Sequence, residues 1–186
     1  MARRLSVATA LAVLITSMAA VASPASAAKK RQRACAGAST IPSSTTLARA
    51  YDGVLCLVNR ERTKRGLRAL RRSSELTQAA SDHSTDMVSR QYFDHTNLDG
   101  ETVRERVLRT GYFRGGRAGI VEEALAVGWA QLSTPRSLVA MLMRSRSHAA
   151  IVLNRRLRDI GVGLVLGAPQ PGYAGGATLT LDVARR

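Results

Sequence analysis

The chain has 186 residues, with 28 Lys and Arg against 13 Asp and Glu and a formal net charge of +15. That length suits one domain with appendages, and an apolar share of 45% is ordinary for a globular protein. Aromatics make up only 4%, which argues against a nucleic-acid reader that works by stacking bases. Beyond the N-terminus no further apolar run is long enough to span a bilayer.

The N-terminus has three parts. MARR is positively charged, LSVATALAVLITSMAAV is apolar, and SPASA is an A-x-A site ending at Ala27. Together they predict a secretory signal peptide over residues 1–27. Serines and threonines interrupt the apolar run and Pro24 closes it, which argues against a retained membrane anchor. No cysteine sits at the cleavage point, as a lipoprotein would need. Cleavage removes Arg3 and Arg4 and leaves 26 basic against 13 acidic residues, a net charge of +13. A secreted or wall-associated protein of that charge meets anionic envelope polymers or lipid head groups. The bland alternative is an arginine-rich surface that only keeps the protein soluble.

Residues 28–46 (AKKRQRACAGASTIPSSTT) are basic, then small and polar, and read as a loosely tied tail or linker ahead of a domain over 47–186. A helix is expected from Leu47 to Arg65, stopping at Gly66. Leu47, Tyr51, Val54 and Val58 form its apolar stripe, with Cys56 opposite. An exported chain with Cys35 in the tail and Cys56 on an outer helix face favours a Cys35–Cys56 bond. Two free thiols, or pairing with another chain, are the alternatives.

A second helix opens at Ser73 and runs to Arg90. Leu76, Ala80, His83 and Met87 share one face, so His83 reads as a hydrogen-bonded core histidine rather than a ligand. The stretch YFDHTNLDG then sets Asp94 and His95 before a turn closed by Gly100. Glu101 to Arg109 reads as a short helix ending at Gly111, while GIVEEALAVGWA is ambiguous between strand and loop. Thr134 followed by Pro135 predicts an N-cap and first helical residue for a helix to Arg144, with Leu138, Val139, Leu142 and Met143 on its buried face. IGVGLVLG and ATLTLDV alternate with period two around APQPGYAGG, which predicts a β-hairpin under helices. The expected class is α+β, with helices covering a small antiparallel sheet.

The pieces VNRERTKRGLRAL, ELTQAASDHSTDMVSRQYFDHTNLDG, RVLRTGY, STPRSLVAMLMRSRSHAAIVLN and DIGVGLVLG, in that order, resemble the bacterial branch of the CAP superfamily. These are SCP-like domains, named for cysteine-rich secretory proteins, antigen 5 and pathogenesis-related proteins. The resemblance runs from about Leu47 to Val183 and implies an α-β-α sandwich. It also implies a cleft lined by two histidines and two acidic residues, in which the histidines can hold a divalent metal. His95 is similar to the first histidine and His148 to the second. Glu123 matches the first acid, with Glu122 the off-by-one alternative. The second acid falls on Ala140, which predicts a gap on the cleft-facing side of its helix. Ala124, Arg146-Ser147 and Leu142 also depart from the family pattern, and the last strand lacks its usual aromatics.

Read from chemistry alone, two neutral imidazoles can bind Zn²⁺, although catalytic zinc normally has three protein ligands. No H-E-x-x-H, C-x-x-C, G-x-S-x-G or phosphate loop is present in the sequence. His95 could merely cap its turn, His148 fill a helix end, and Glu123 pair with one of many arginines. The expected function is therefore a secreted CAP module, non-catalytic, that binds an anionic envelope polymer and holds zinc or another divalent cation weakly through His95 and His148. A metal-assisted hydrolase (protease or nuclease) and a lipid carrier are the alternatives. No specific nucleic-acid partner is expected.

Overall fold

Among the described residues, five α-helices and a four-stranded sheet follow in the order α1 (Leu47–Thr63), β1 (Arg71–Arg72), α2 (Ser74–Arg90), α3 (Val103–Arg109), β2 (Ile120–Trp129), α4 (Pro135–Arg144), α5 (Arg146–Val152), β3 (Asp159–Leu166) and β4 (Gly176–Arg185). The computed structural model describes residues 34–114, 119–170 and 175–186. The signal-peptide reading over 1–27 lies outside the described residues. Among these residues no helix is long and apolar enough to cross a membrane.

The helices start where their caps are. The Ser73 hydroxyl accepts from the Leu76 N–H, and Thr134 accepts from the Ser137 N–H with Pro135 as the first residue of α4. Thr102 and Glu105 form a capping box at α3. The ambiguous GIVEEALAVGWA stretch is a strand, because its ten residues pair along the whole of β4. β3 and β4 form the expected antiparallel hairpin. The sheet is nevertheless mixed, not purely antiparallel: its order is β1-β3-β4-β2, and the two-residue β1 pairs parallel to β3. Two exposed arginines carry no apolar pattern, so β1 had no sequence signal.

Both faces of the sheet are covered. Leu179, Leu181 and Val183 of β4 join Val54, Val58, Leu138, Leu142 and Val152 in the larger core cluster. α2 lies on the other face. It approaches so closely that a Cβ on Gly161 would stand 2.1 Å from the Leu76 carbonyl carbon, and one on Gly163 2.1 Å from the Ala80 oxygen. Under α2 the facing side chains are small and polar. The Ser84 hydroxyl donates to the Gly163 carbonyl at 2.9 Å and shares a 2.7 Å bond with Thr180.

Part of the segment ahead of Leu47 packs on the helices that follow it. Cys35 and Ala38 are buried, and the Arg136 N–H donates to the Ala38 carbonyl at 2.8 Å. Gly53 on α1 allows the contact, since a Cβ there would sit 2.8 Å from the Gly37 carbonyl carbon. The Cys35–Cys56 disulfide fastens the segment to α1, with Cα atoms 5.7 Å apart across 21 residues of sequence. A loop of that size corresponds to about 3 kcal/mol of lost unfolded-state entropy.

Candidate functional site

Glu123 is the hub. Its side chain is 1% exposed, with Oε1 2.8 Å from His95 Nδ1 and Oε2 2.6 Å from the Arg106 guanidinium. Adjacent strand residues point to opposite faces, so Glu122 turns away and accepts from Asn154 Nδ2 at 2.8 Å. Of the two glutamates, it is Glu123 that meets a histidine.

His95 is held by its turn. Gln91 leaves α2 in the left-handed conformation, Asp94 Oδ1 accepts from the Thr96 N–H at 3.0 Å, and Asn97 Oδ1 accepts from Asp99 and Glu101. Asx turns of this kind fix a loop without help from regular structure. A carboxylate only accepts, so His95 donates through Nδ1 and presents Nε2 outward. Its side chain is 56% exposed. The hydrogen bond to Glu123 raises its pKa above 6.5, against a smaller opposing effect of burial.

Three groups that sequence reasoning missed, or placed only in the core, complete the cluster. Arg106, 1% exposed, donates to Glu123, to the His95 carbonyl at 3.0 Å and to the Glu101 carbonyl at 2.9 Å. It therefore fixes the turn and the carboxylate together. Its signal was available, because Arg106 follows Val103 by three positions on a short helix and so lies on the buried side. His83 is a core histidine as expected, yet its Nε2 lies 3.9 Å from Glu123 Oε2 while donating to the Asp94 carbonyl at 2.9 Å. Burial pushes its pKa down. Asp182 pairs with Glu123 in the β2–β4 register and is fully buried, and burial followed by the Glu123 charge pushes its carboxyl well above the usual range.

His148 stands on α5, capped by Ser145, and is half-buried. Burial and then the charge of His95 lower its pKa. No hydrogen bond among the described residues joins His148 to His95 or Glu123.

Leu138, Val139 and Leu142 take the buried side of α4. Ala140 falls with Arg136, Met143 and Arg144 on the side toward α1. These residues line a cavity of about 290 Å³ with Leu57 and Glu61, and none of His95, Glu123 and His148 lines it. A carboxylate at that position would share the cavity with Arg136 and Arg144.

The donor set does not make a resident metal centre. Among the described residues no group of three or more His, Cys, Asp and Glu is placed to hold an ion. Both Glu123 oxygens are engaged, one of them by a cationic guanidinium. Two imidazoles remain, one short of the usual three ligands of catalytic zinc.

The model of the cysteine-rich secretory protein (CAP) family matches residues 55–175. The chain belongs to the CAP family. This CAP domain is 32% identical over 129 residues to YkwD, an uncharacterised protein of Bacillus subtilis (strain 168), and the match covers 68% of this chain and 47% of that protein. The chain thus spans about half the length of that relative. Among solved structures, an outer surface protein from Borrelia burgdorferi is 18% identical with a TM-score of 0.58, over 72% of this chain and 90% of that one. An extracellular SCP-domain protein from Bacillus anthracis str. Ames is 19% identical with a TM-score of 0.57, over 78% of this chain and 44% of that one. Both likenesses show the CAP fold, the α-β-α arrangement described above.

Proposed function

We propose that this CAP domain is exported and acts as a binding module at the cell envelope, without turning over a substrate. The commitment of both Glu123 oxygens carries the reading. One oxygen orients His95 and the other closes an ion pair with Arg106, so the central carboxylate of the cleft holds its neighbours in place. A general base needs a free oxygen within reach of the proton it takes. Export is supported by the N-terminal signal pattern and by the names of the structural neighbours, an outer surface protein and an extracellular protein. The charge of +13 after cleavage favours an anionic polymer as partner. A divalent cation is no part of this function; held by two imidazoles only, it would bind weakly.

A hydrolytic reading has one observation in its favour. His95 and His148 shift in opposite directions, the pattern of an acid and base pair. One experiment separates the two readings. Purified mature protein is incubated with washed cell-envelope fragments, and both bound protein and soluble fragments are measured across salt and with a chelator. Binding that weakens with salt, with no fragments released, supports the binding module. Fragment release would replace it with hydrolysis, metal-assisted if a chelator stops it. No binding at low salt would overturn the module outright.

A further inference from the structure

At the end of the sheet where β2 and β3 begin and β4 ends, two cavities of about 410 and 260 Å³ share Arg185 and Arg186. Arg71, Arg72, Arg156 and Arg158 complete their basic lining, so six arginines face two carboxylates, Glu75 and Asp159. Those carboxylates are already occupied. Glu75 accepts from Ser73 and Arg186, and its pKa falls to about 2, mainly through Ser73. Asp159 accepts from Arg71 and from the Tyr112 hydroxyl at 2.7 Å. Arg156 and Arg185 have no side-chain ion pair among the described residues, and the Arg158 guanidinium rests on backbone carbonyls. The positive charge in the groove is therefore in excess, and Glu123, His95 and His148 line neither cavity.

We propose that this groove binds a linear phosphodiester polymer of the envelope, with phosphates joined by small polyols. The proposal rests on the reading of the domain as an envelope-binding module and gives that module a surface away from the His95–Glu123 cluster. Guanidinium forks match the two non-bridging oxygens of a phosphodiester. Two cavities that share Arg185 and Arg186 suit several successive phosphates better than one small anion. Nucleic acid is disfavoured because the groove offers no stacking platform: Tyr112, the aromatic in its lining, is 1% exposed, and Arg186 lies 4.3 Å over its ring.

The test uses the mature protein and defined polyglycerol phosphate, with polyglutamate and single-stranded DNA of matched charge as comparison polyanions. Arg156→Gln/Arg185→Gln removes two groove charges. Arg68→Gln/Arg146→Gln removes two exposed charges elsewhere and keeps the net charge of the two variants equal. The groove variant should bind polyglycerol phosphate about tenfold or more weakly, with a shallower salt dependence. The control variant should stay within about twofold of the parent, since distant exposed charges are screened. Equal losses in both variants, or none in the groove variant, overturn the site. Polyglutamate binding as tightly, with the same sensitivity to the groove variant, overturns the phosphodiester assignment, and DNA doing so overturns the choice of a polyol polymer over nucleic acid. Envelope binding that survives the groove variant refutes this groove and leaves the module standing. Polymer binding without envelope binding refutes the module.

Discussion

Asp182 lies across from Glu123 with its carboxyl fully buried, and neither oxygen finds a hydrogen bond of normal geometry among the described residues. Burial and the neighbouring charge hold its proton on in the folded state, while the unfolded chain releases it above about 3.8. The folded form thus binds more protons than the unfolded one as pH rises past that value, and stability falls over the same range. Asp182→Asn removes this titration at nearly constant shape. It should stabilise the domain at pH 7 by about 1 kcal/mol or more, the linkage of a carboxyl held well above its unfolded range, and the gain should shrink as pH approaches 3.8. Urea melts at pH 4 and pH 7 measure it, and an equal gain at both would show that Asp182 is not titrating. Asp182 was invisible in the sequence because ATLTLDV alternates, and an Asp on the polar phase reads as solvent-facing. Only the cover of α2 makes that phase an interior. His95 and Glu123 were legible through the family resemblance, and the choice between Glu122 and Glu123 follows once the strand is known. The second acidic position, Ala140, rests on counting back from His148 across a break between α4 and α5 at Ser145.

Most elements were legible, for local reasons. Ser73, Thr134 with Pro135, and the Thr102–Glu105 pair are caps that act within one turn, so α2, α4 and α3 begin near where the sequence sets them. What the sequence pattern could not show is how elements touch. Gly161 and Gly163 of IGVGLVLG interrupt no alternation, yet they let α2 lie directly on the sheet. Gly161→Ala would drive a methyl to 2.1 Å from the Leu76 backbone, which cannot rotate aside as a side chain can. α2 must then lift, separating His83 from Glu123 and loosening the core beneath Leu76. A loss of about 2 kcal/mol or more is expected, at the upper part of the range for overpacking. Chemical denaturation gives the value, and a change under about 0.5 kcal/mol would mean that α2 rides higher on the sheet. The packing of the segment before Leu47 has the same origin. Residues 34–46 look like linker because they lack periodicity, but Cys35 and Ala38 reach the core through the disulfide and the space left by Gly53.

At the scale of the whole molecule, the chain carries 28 basic against 13 acidic residues, and the proposed cleavage at Ala27 would leave 26 against 13. Like charges repel more in the folded state, where they are closest, than in the expanded chain. Working against this are surface ion pairs such as Arg90–Asp99, Arg65–Glu61 and Arg186–Glu75. Each is exposed and contributes no more than about 1 kcal/mol. Salt screens both effects, so its net influence shows which is larger. Only 13 acids are available for pairing, and Glu123 and Asp182 are buried away from the surface. Repulsion among the unpaired arginines should therefore dominate. Raising sodium chloride from about 10 mM to 300 mM shortens the screening length from roughly 30 Å to under 10 Å, and the melting temperature of the mature domain should rise by several degrees. Polyglycerol phosphate at low salt should raise it further, because a ligand that binds only the folded form adds to stability by mass action. The two stabilisations oppose each other: added salt should erase the polymer's contribution while making its own. A melting temperature that falls with salt in the absence of polymer would show that the surface pairs outweigh the repulsion, and the charge excess would then be no reason to seek a polyanionic partner.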